Sequence, residues 1–348
     1  MRKNAALLGA TGAMGQRFVK MLEKHPFFDL RLLIASEQRK GKKYGKEVRW
    51  FLGSDVPEYV KDMEIHDFKL TNFEREGIDI VFSALPADIA CEYEGKLREH
   101  GYAVFSNSSA YRMERDVPIL IPEINAEHIE LVKLQKERYG GYIVTNSNCS
   151  TSGLALALAP LRNYGIERVF VTTYQAVSGA GYPGVASLDI CGNIVPYIKR
   201  EEEKMRRETR KILGKLEKDE VRDYPVEIIA SCARVPVRDG HLEAVVLKFR
   251  EDVEVEKIKR KMESIKGLEG LPTAPAKPVI VRDEEDRPQP ILDAYAGKGR
   301  ARGMSVVTGR FAKFGEYIRF YLIVHNTIRG GAGASILNAE YALSNGYL

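Results

Sequence analysis

One cysteine of the chain, Cys149, stands where a thiol becomes reactive. It lies in the polar run NSNCSTS over residues 146–152, after a segment that predicts a strand over 142–145 and before an Ala/Leu-rich segment that predicts a helix over 154–161. The first N–H groups and the dipole of a helix stabilise a thiolate, and they can also hold the oxyanion of a carbonyl under attack. The pattern therefore indicates an activated nucleophile rather than a buried structural cysteine.

A cysteine nucleophile commonly works with a base, and six histidines are available. His241 stands out because it follows the turn residues 238–240 between two predicted strands, over 226–237 and 242–250. A side chain at the rigid edge of a sheet can be aimed at a reacting group. His241 is therefore the first candidate for the base, although its position alone raises it only modestly above the other five.

A glycine-rich turn at the first strand–helix junction indicates a dinucleotide site. The sequence GATGAMG over residues 9–15 lies between a predicted strand over 5–8 and a predicted helix over 13–24. Its glycines follow the spacing GxxGxxG rather than GxGxxG, but they serve the same end, since they allow a tight turn and bring a pyrophosphate close to the helix N-terminus. The predicted contact residues are Gly9, Thr11, Gly12, Ala13, Met14 and Gly15.

The end of the second predicted strand, over 30–35, indicates which dinucleotide binds. An NAD site usually has an Asp or Glu there to hold the ribose 2′-hydroxyl. This chain has Ser36 and, three residues on, Arg39, and a hydroxyl with a guanidinium suits a 2′-phosphate. Glu37 argues mildly for NAD, so dual use stays open. The sequence predicts NADP as the cofactor.

A thiol beside a nicotinamide supports two directions of one reaction. An aldehyde that adds to Cys149 can lose a hydride to NADP⁺, which leaves a thioester for a second nucleophile to cleave. In reverse, an acyl donor charges the thiol and NADPH reduces the thioester. Short-chain dehydrogenase chemistry is excluded, because no tyrosine of the chain has a lysine four positions on.

Composition excludes other classes of function. The 348 residues carry a net charge of +5 with both signs interspersed, so neither nucleic acid nor a membrane surface is an expected partner. No apolar run reaches the length of a membrane span, and the segment before Gly9 is too short for a signal peptide, so a cytoplasmic location is expected. The cysteines other than Cys149 form no C-x-x-C pair, predict neither a disulfide framework nor a metal site, and are interpreted as buried: Cys91, Cys191 and Cys232.

The pattern of apolar segments predicts an α/β chain of two domains. Short apolar runs alternate with amphipathic ones through the first hundred residues, which is typical of a Rossmann dinucleotide-binding domain. Longer β-branched strands follow, which predict an α+β catalytic and dimerisation domain with a mixed or antiparallel sheet. The predicted domains are 1–148 with 327–348, and 149–326. Further expectations are a charged helix over 198–216, a Pro-rich surface connection or oligomer arm over 272–290, and a final helix over 332–343 that docks on the first domain.

Seven motifs, spread over essentially the whole chain, together resemble the aspartate-semialdehyde dehydrogenases. Their residues are most similar to those of the archaeal and fungal branch. They are GATGAMGQRF from Gly9, FSALP from Phe82, SNSSAYRM from Ser106, SNCST from Ser147, TYQAVSGAGYPG from Thr173, ARVPVRDGH from Ala233 and HNTIRGGAG from His325.

The resemblance implies a role for each matching residue. It makes Cys149 the nucleophile, His241 the acid/base and Gln175 the residue that orients the substrate near the thiol. It implies that Arg234 binds the substrate α-carboxylate and that Glu201 binds the amino group, although the run Glu201, Glu202, Glu203 leaves this register open. The remaining implied contacts are Arg112, Asn107 and Lys204 with phosphate, Ser83 and Ala84 with the pyrophosphate and ribose, and Ser178, Gly179 and Asn326 with the nicotinamide.

The implied reaction is the reversible reduction of L-4-aspartyl phosphate by NADPH to L-aspartate 4-semialdehyde and phosphate, a step toward lysine, threonine and methionine. A reductase of the same fold that takes malonyl- or succinyl-CoA is the alternative, since its thiol chemistry would be the same. A noncatalytic NADP(H)-binding redox sensor with Cys149 as its switch is a more remote one. The exposed strands expected in the second domain indicate a homodimer or a homotetramer.

Overall fold

The computed structural model describes residues 2–348, which form two compact units. The first unit comprises residues 2–118, Ile129–Asn146 and Ser335–Leu348. The second unit comprises Ile119–His128 and Ser147–Ala334.

The bounds of the elements follow in chain order. The strands are β1 (Lys3–Leu8), β2 (Phe28–Ile34), β3 (Ile65–His66), β4 (Ile80–Ser83), β5 (Ala103–Ser106), β6 (Tyr142–Thr145), β7 (Ile166–Gln175), β8 (Lys215–Glu217), β9 (Glu220–Arg222), β10 (Glu227–Arg234), β11 (His241–Phe249), β12 (Val279–Arg282), β13 (Val306–Phe314) and β14 (Tyr317–Val324). The α-helices are α1 (Ala13–Leu22), α2 (Tyr44–Glu47), α3 (Glu58–Lys61), α4 (Leu70–Arg75), α5 (Ala87–Glu99), α6 (Pro122–Asn125), α7 (Leu131–Tyr139), α8 (Cys149–Leu158), α9 (Ser187–Ile190), α10 (Glu201–Ile212), α11 (Val255–Glu263), α12 (Pro290–Asp293) and α13 (Gly333–Ser344).

The first unit is a parallel six-stranded sheet in the order β3-β2-β1-β4-β5-β6. Strands such as β4 and β5 are buried along their whole length, which is why they read in the sequence as continuous apolar runs. The predicted Rossmann architecture is confirmed. β3 was not predicted, because two paired residues leave no periodic signal.

The C-terminal helix α13 belongs to the first unit from Ser335 onward. Within this unit His25, just after α1, forms a fully buried hydrogen bond with Glu340, in which Nε2 lies 2.9 Å from Oε1. Two buried polar groups that satisfy each other in this way fix the helix against the sheet.

The second unit is built on a mixed sheet in the order β10-β7-β11-β14-β13-β12. β10 pairs with β7, and β12 with β13, in parallel, while the other neighbours are antiparallel. Alternate residues of β7 and β11 are buried, which marks one face of the sheet as the face that packs on the core. The expected mixed or antiparallel sheet is therefore confirmed in its mixed form.

Two local expectations in the second unit were wrong. The Pro-rich segment over 272–290 is not only a connection, because its β-branched run Val279–Arg282 pairs with β13 as an edge strand. The charged helix is shorter than predicted, since α10 spans Glu201–Ile212 and the residues that follow turn into the hairpin β8–β9.

The interpretation of three cysteines as buried holds for Cys232 alone. Cys91 and Cys191 are exposed. Cys91 lies on the solvent side of α5, whose buried face is formed by Ala90, Glu94, Leu97 and Arg98. Cys191 follows the short helix α9 in a largely exposed segment.

Residues 2–348 contain neither a membrane-spanning helix nor a metal-binding cluster of side chains. No helix has both the length and the apolar character that a bilayer crossing requires. No group of three His, Cys, Asp or Glu side chains is arranged to hold a metal ion.

Candidate active site

The nucleophile candidate Cys149 is the first residue of α8. The helix begins here, earlier than predicted, because the Asn148 side chain caps it: Oδ1 accepts from the N–H groups of Ser150 at 3.0 Å and Thr151 at 3.1 Å. A Cβ at Gly330 would lie 2.7 Å from both Cα and Cβ of Cys149, so only glycine fits beside the nucleophile. The thiol is thereby placed at the positive end of a helix dipole.

His241 is in contact with that thiol. Its Nε2 lies 3.2 Å from the Cys149 Sγ, and its Nδ1 accepts a hydrogen bond of 3.0 Å from the Ala176 N–H. Because Nδ1 uses its lone pair in this bond, the neutral imidazole carries its hydrogen on Nε2 and directs it at the sulfur. Burial, with the charges of Arg234 and His325, lowers the pKa of His241 well below its ordinary value. The ring is therefore a neutral hydrogen-bond donor toward sulfur.

Strand register brings the predicted residues Gln175 and Arg234 to one face of the second sheet, together with three residues that were not predicted there. Gln175 on β7 is paired with Arg234 on β10, and Thr173 on β7 is paired with Cys232 on β10 and with Glu243 on β11. All five are buried. Residues two apart on a strand share a face, so His241 lies on the face of Glu243.

A buried hydrogen-bond network distinguishes Glu201 from the two acidic residues that follow it. Glu201 Oε1 accepts from Gln175 Nε2 at 2.9 Å and from Asn148 Nδ2 at 2.8 Å. Glu202 accepts from the backbone N–H of Cys232, and Glu203 pairs with arginines at the surface. Of the three, only Glu201 joins the residues around the thiol.

Lys204 lies one turn after Glu201 on α10, with Nζ 4.0 Å from Glu201 Oε2. Its side chain keeps about a third of its surface exposed (34%), so the ammonium group can reach a solvent-borne anion. The pair presents one carboxylate and one cation on the same helix face, as two residues three apart do.

Arg234 is held in place from its own unit. Its Nη1 donates to the Ala176 carbonyl at 2.8 Å. Burial lowers the pKa of this guanidinium, while the charges of Cys149 and Glu201 act to raise it. A Cβ at Gly179 would lie 2.8 Å from Arg234 Nη1 and 3.1 Å from His241 Nε2, so a glycine is required here.

The residues predicted beside the nicotinamide also lie together. Asn326 Nδ2 donates to Ser178 Oγ at 2.8 Å, and Asn326 Oδ1 accepts from the Gly240 N–H at 2.9 Å. These bonds connect the loop after β14 to the loop after β7 and to the residue before His241.

One buried acid of this face, Glu243, was missed. Neither of its side-chain oxygens makes a hydrogen bond in residues 2–348, and burial together with the charge of Glu201 raises its pKa well above the ordinary value. The side chain is therefore a neutral acid. An available signal was its position two residues after His241, on the inward face of an alternating strand.

The first unit contains the predicted dinucleotide loop. Gly9 has a φ of +74°, and a Cβ there would lie 2.8 Å from the carbonyl oxygen of Ala84. Gly12 caps α1 without any side-chain bond to its first N–H groups, and Ala13 and Met14 open the helix. A loop with glycine at both ends, before a helix of 10 residues, fits a pyrophosphate.

The other first-unit candidates lie at the ends of neighbouring strands. Ser36 precedes a short helical turn over Glu37–Arg39, and Arg39 pairs with Glu47 at 3.7 Å. Arg112 is buried and donates from Nη2 to the Asn107 carbonyl at 2.9 Å. Thr11 belongs to the glycine loop, Gly15 lies in the first turn of α1, and Ser83 ends β4.

Two protein-family models match most of the chain. Residues 4–132 match the family model described as semialdehyde dehydrogenase, NAD binding domain, and residues 158–329 match the one described as semialdehyde dehydrogenase, dimerisation domain. The second match supports an oligomer.

Relatives match over nearly the whole chain. An aspartate-semialdehyde dehydrogenase of Archaeoglobus fulgidus is 51% identical over 98% of both chains, and one of Aspergillus fumigatus is 40% identical over 100% of this chain and 99% of its own. A malonyl CoA reductase (NADP) of Metallosphaera sedula is 39% identical over 99% of this chain and 98% of its own. The crystal structure of aspartate semialdehyde dehydrogenase with NADP from Candida albicans superposes with a TM-score of 0.91 at 38% identity, covering 99% of this chain and 100% of that one.

Proposed function

The chain belongs to the aspartate-semialdehyde dehydrogenase family, and we propose on that basis that it reduces L-4-aspartyl phosphate with NADPH to L-aspartate 4-semialdehyde and phosphate, reversibly. The observation that carries the proposal is the thiol of Cys149 at a helix N-terminus, 3.2 Å from an imidazole N–H donor.

Cys149 performs the covalent step. Its thiolate attacks the acyl carbon, the sulfur–carbon bond forms, and the carbon–oxygen bond to phosphate breaks with its electron pair leaving on phosphate. Bound NADPH supplies the hydride that reduces the thioester carbon. The resulting alkoxide collapses to the aldehyde, and the carbon–sulfur bond breaks to return the thiolate.

His241 acts through Nε2–H in both halves of this cycle. The hydrogen bond stabilises the free thiolate, and it can pass to the oxyanion that develops on the neighbouring carbon. A ring that is neutral and held at Nδ1 by the Ala176 N–H does not need to gain a proton in order to do this. The predicted acid/base role is thus proposed here in a narrower form, as hydrogen-bond donation toward oxygen or sulfur.

Charged side chains position the amino acid. We assign the substrate α-carboxylate to Arg234, whose guanidinium can bind it in bidentate geometry. We assign the ammonium group to Glu201. Gln175 and Asn148 both donate to Oε1 of this carboxylate, and neither of them donates to Oε2. Lys204 and Arg112 are each assigned to phosphate, as the resemblance implies.

A malonyl-CoA reductase is the second candidate, because one relative at 39% identity carries that name. The buried Glu201 network argues for the amino-acid substrate, since malonyl-CoA has no ammonium group for the carboxylate to bind. Purified protein with NADPH should therefore consume aspartyl phosphate and leave malonyl-CoA unreacted. Turnover of the CoA ester alone would overturn the substrate assignment.

We propose a homodimer or a homotetramer in the cytoplasm, supported by the match to a dimerisation domain and by four cysteines that form no disulfide. Light scattering on the protein as it elutes from a size-exclusion column should give a molar mass of two or four times 39.1 kDa. A monomer mass at assay concentration would contradict the oligomer.

A further inference from the structure

Arg329 and Glu123 form an ion pair inside the second unit. Arg329 lies in the β14–α13 connection, residues 325–332, and Glu123 lies on the short helix α6. The Arg329 Nη1 donates to the Glu123 Oε1 at 2.7 Å. Only 2% of the arginine side chain and none of the glutamate side chain is exposed. The proposed reaction gives neither residue a role.

Stability alone does not account for a buried ion pair of this kind. Taking two charges out of water costs free energy that their attraction often does not exceed, and an apolar pair of similar volume is often at least as stable. The compensation is incomplete here, because the Nη2 of Arg329 and the Oε2 of Glu123 make no hydrogen bond within residues 2–348. What the ion pair adds over an apolar contact is a fixed direction and distance between the two segments.

The β14–α13 connection is a wide helical turn that touches the nucleophile. The Gly330 N–H donates to the His325 carbonyl at 3.0 Å. The Ala332 N–H donates to the Thr327 carbonyl at 3.1 Å, so each of these bonds spans five residues instead of four. Such π-helical turns are rare and occur frequently at functional sites. Gly330 packs against Cys149, since a Cβ there would lie 2.9 Å from the Cys149 carbonyl oxygen.

The same connection also holds the residue before the base. The Asn326 Oδ1 accepts from the Gly240 N–H at 2.9 Å, and His241 follows Gly240 in the chain. The His241 Nε2 lies 3.2 Å from the Cys149 sulfur. A shift of the β14–α13 connection would therefore displace both members of the thiol–imidazole pair.

The glutamate end of the ion pair is a rigid support. Asn125, the last residue of α6, is fully buried and closes the turn that carries Glu123. Its Oδ1 accepts from the Ile121 N–H at 2.8 Å, and its Nδ2 donates to the Ile119 carbonyl at 2.9 Å. These bonds fix the backbone on both sides of Glu123, so the carboxylate is a fixed point to which the arginine is held.

We propose that Arg329 and Glu123 are positioning residues of the active site. Their ion pair holds the β14–α13 connection at one distance from α6, so that Gly330 fixes Cys149 at its helix N-terminus and Asn326 fixes the base beside it. The proposal rests on the proposed function only in taking Cys149 as the nucleophile.

The test measures the reactivity of Cys149 with iodoacetamide in the full-length protein, which needs neither substrate nor cofactor. In Arg329→Met/Glu123→Met, two apolar side chains of similar volume replace the pair, so the protein should fold with a Tm close to that of the wild type. The alkylation rate of Cys149, followed by mass spectrometry of its peptide, should fall at least about threefold, because the thiol loses its alignment with the helix and the imidazole. Unchanged alkylation of Cys149 in this folded variant would overturn the proposal.

Two controls separate a local effect from a general one. Cys91 is exposed in the first unit, so its alkylation in the same sample should not change. Arg168→Met breaks an exposed ion pair of the second unit, with Glu227, and should leave the reactivity of both thiols as it is. Equal slowing of Cys91 and Cys149 in the double variant would show a general change of the protein and would overturn the proposal.

Glu123→Asp keeps the outcome decisive if the apolar pair does not fold. It retains both charges and shortens the side chain by one methylene group, so the ion pair can form only if the β14–α13 connection moves. Alkylation of Cys149 should slow, and kcat should fall at least about fivefold with the KM for aspartate semialdehyde little changed, because a displaced nucleophile affects the chemical step more than binding. Alkylation at the wild-type rate would overturn the proposal.

Failure of the proposed reaction would be distinguishable from failure of this proposal. Alkylation does not depend on substrate. Slower alkylation of Cys149 in these variants, in a protein that does not turn over aspartyl phosphate, would refute the reaction and leave the positioning role of Arg329 and Glu123 standing.

Discussion

Glu94 on α5 is fully buried, and its replacement by glutamine should stabilise the protein at alkaline pH. Folding moves the pKa of this carboxyl from its ordinary value of 4.5 to about 7. Because the folded value is the higher one, the contribution to stability is fully present below 4.5 and is lost as the pH rises through 7. At about 1.4 kcal/mol per pKa unit, the loss is about 3 kcal/mol by pH 8. The amide of the Glu94→Gln variant has no proton to lose, so that variant keeps this stability.

The assay is thermal unfolding of wild type, Glu94→Gln and the exposed control Glu99→Gln at a fixed protein concentration between about pH 5 and pH 8. The Tm of Glu94→Gln relative to wild type should increase by about 3 °C across this range, given the unfolding entropy of a chain of this size. The Tm of Glu99→Gln should track that of the wild type. A difference between wild type and Glu94→Gln that is the same at both ends of the range would refute the reasoning, since it would mean that Glu94 does not titrate there.

Three further variants test the second unit. His241→Asn keeps an N–H donor and should retain at least about tenfold more kcat than His241→Ala, as a donor role requires; equal losses would support a role in gaining protons. Gly330→Ala should lower kcat about 100-fold with substrate KM little changed, because the added Cβ displaces Cys149, and slower alkylation of the thiol would check this. Gln175→Leu removes one of two donors to Glu201 and should raise the KM for aspartate semialdehyde about tenfold, the cost of one hydrogen bond to a charged group; an unchanged KM would remove Gln175 from substrate positioning.

Much of the fold could be predicted from the sequence because its determinants are local. The buried strands of the first sheet are continuous apolar runs, and the turn after β1 needs the glycines that mark it. β3 was missed because two residues are too few to show a period, and β12 because its apolar run lies in a Pro-rich segment. Their pairing depends on neighbouring strands that the local sequence does not specify.

The site could be predicted only in part. Cys149 has a local signal, but its contact with His241 joins residues 92 positions apart and depends on how α8 lies against β11. The roles of Arg234 and Glu201 came from resemblance, because one arginine or glutamate in a charged sequence has no local mark. Glu94 was not predicted, since an acid on an amphipathic helix ordinarily faces solvent.

The central claim is that the Cys149 sulfur carries the aspartyl group during turnover. Mass spectrometry of protein acid-quenched within the first turnovers, with aspartyl phosphate present and NADPH omitted, measures this directly. The account predicts an aspartyl thioester on the peptide that contains Cys149, which disappears when NADPH is added and is absent from Cys149→Ser. Undiminished aldehyde formation by Cys149→Ser, with no adduct on that peptide in the wild type, would contradict it.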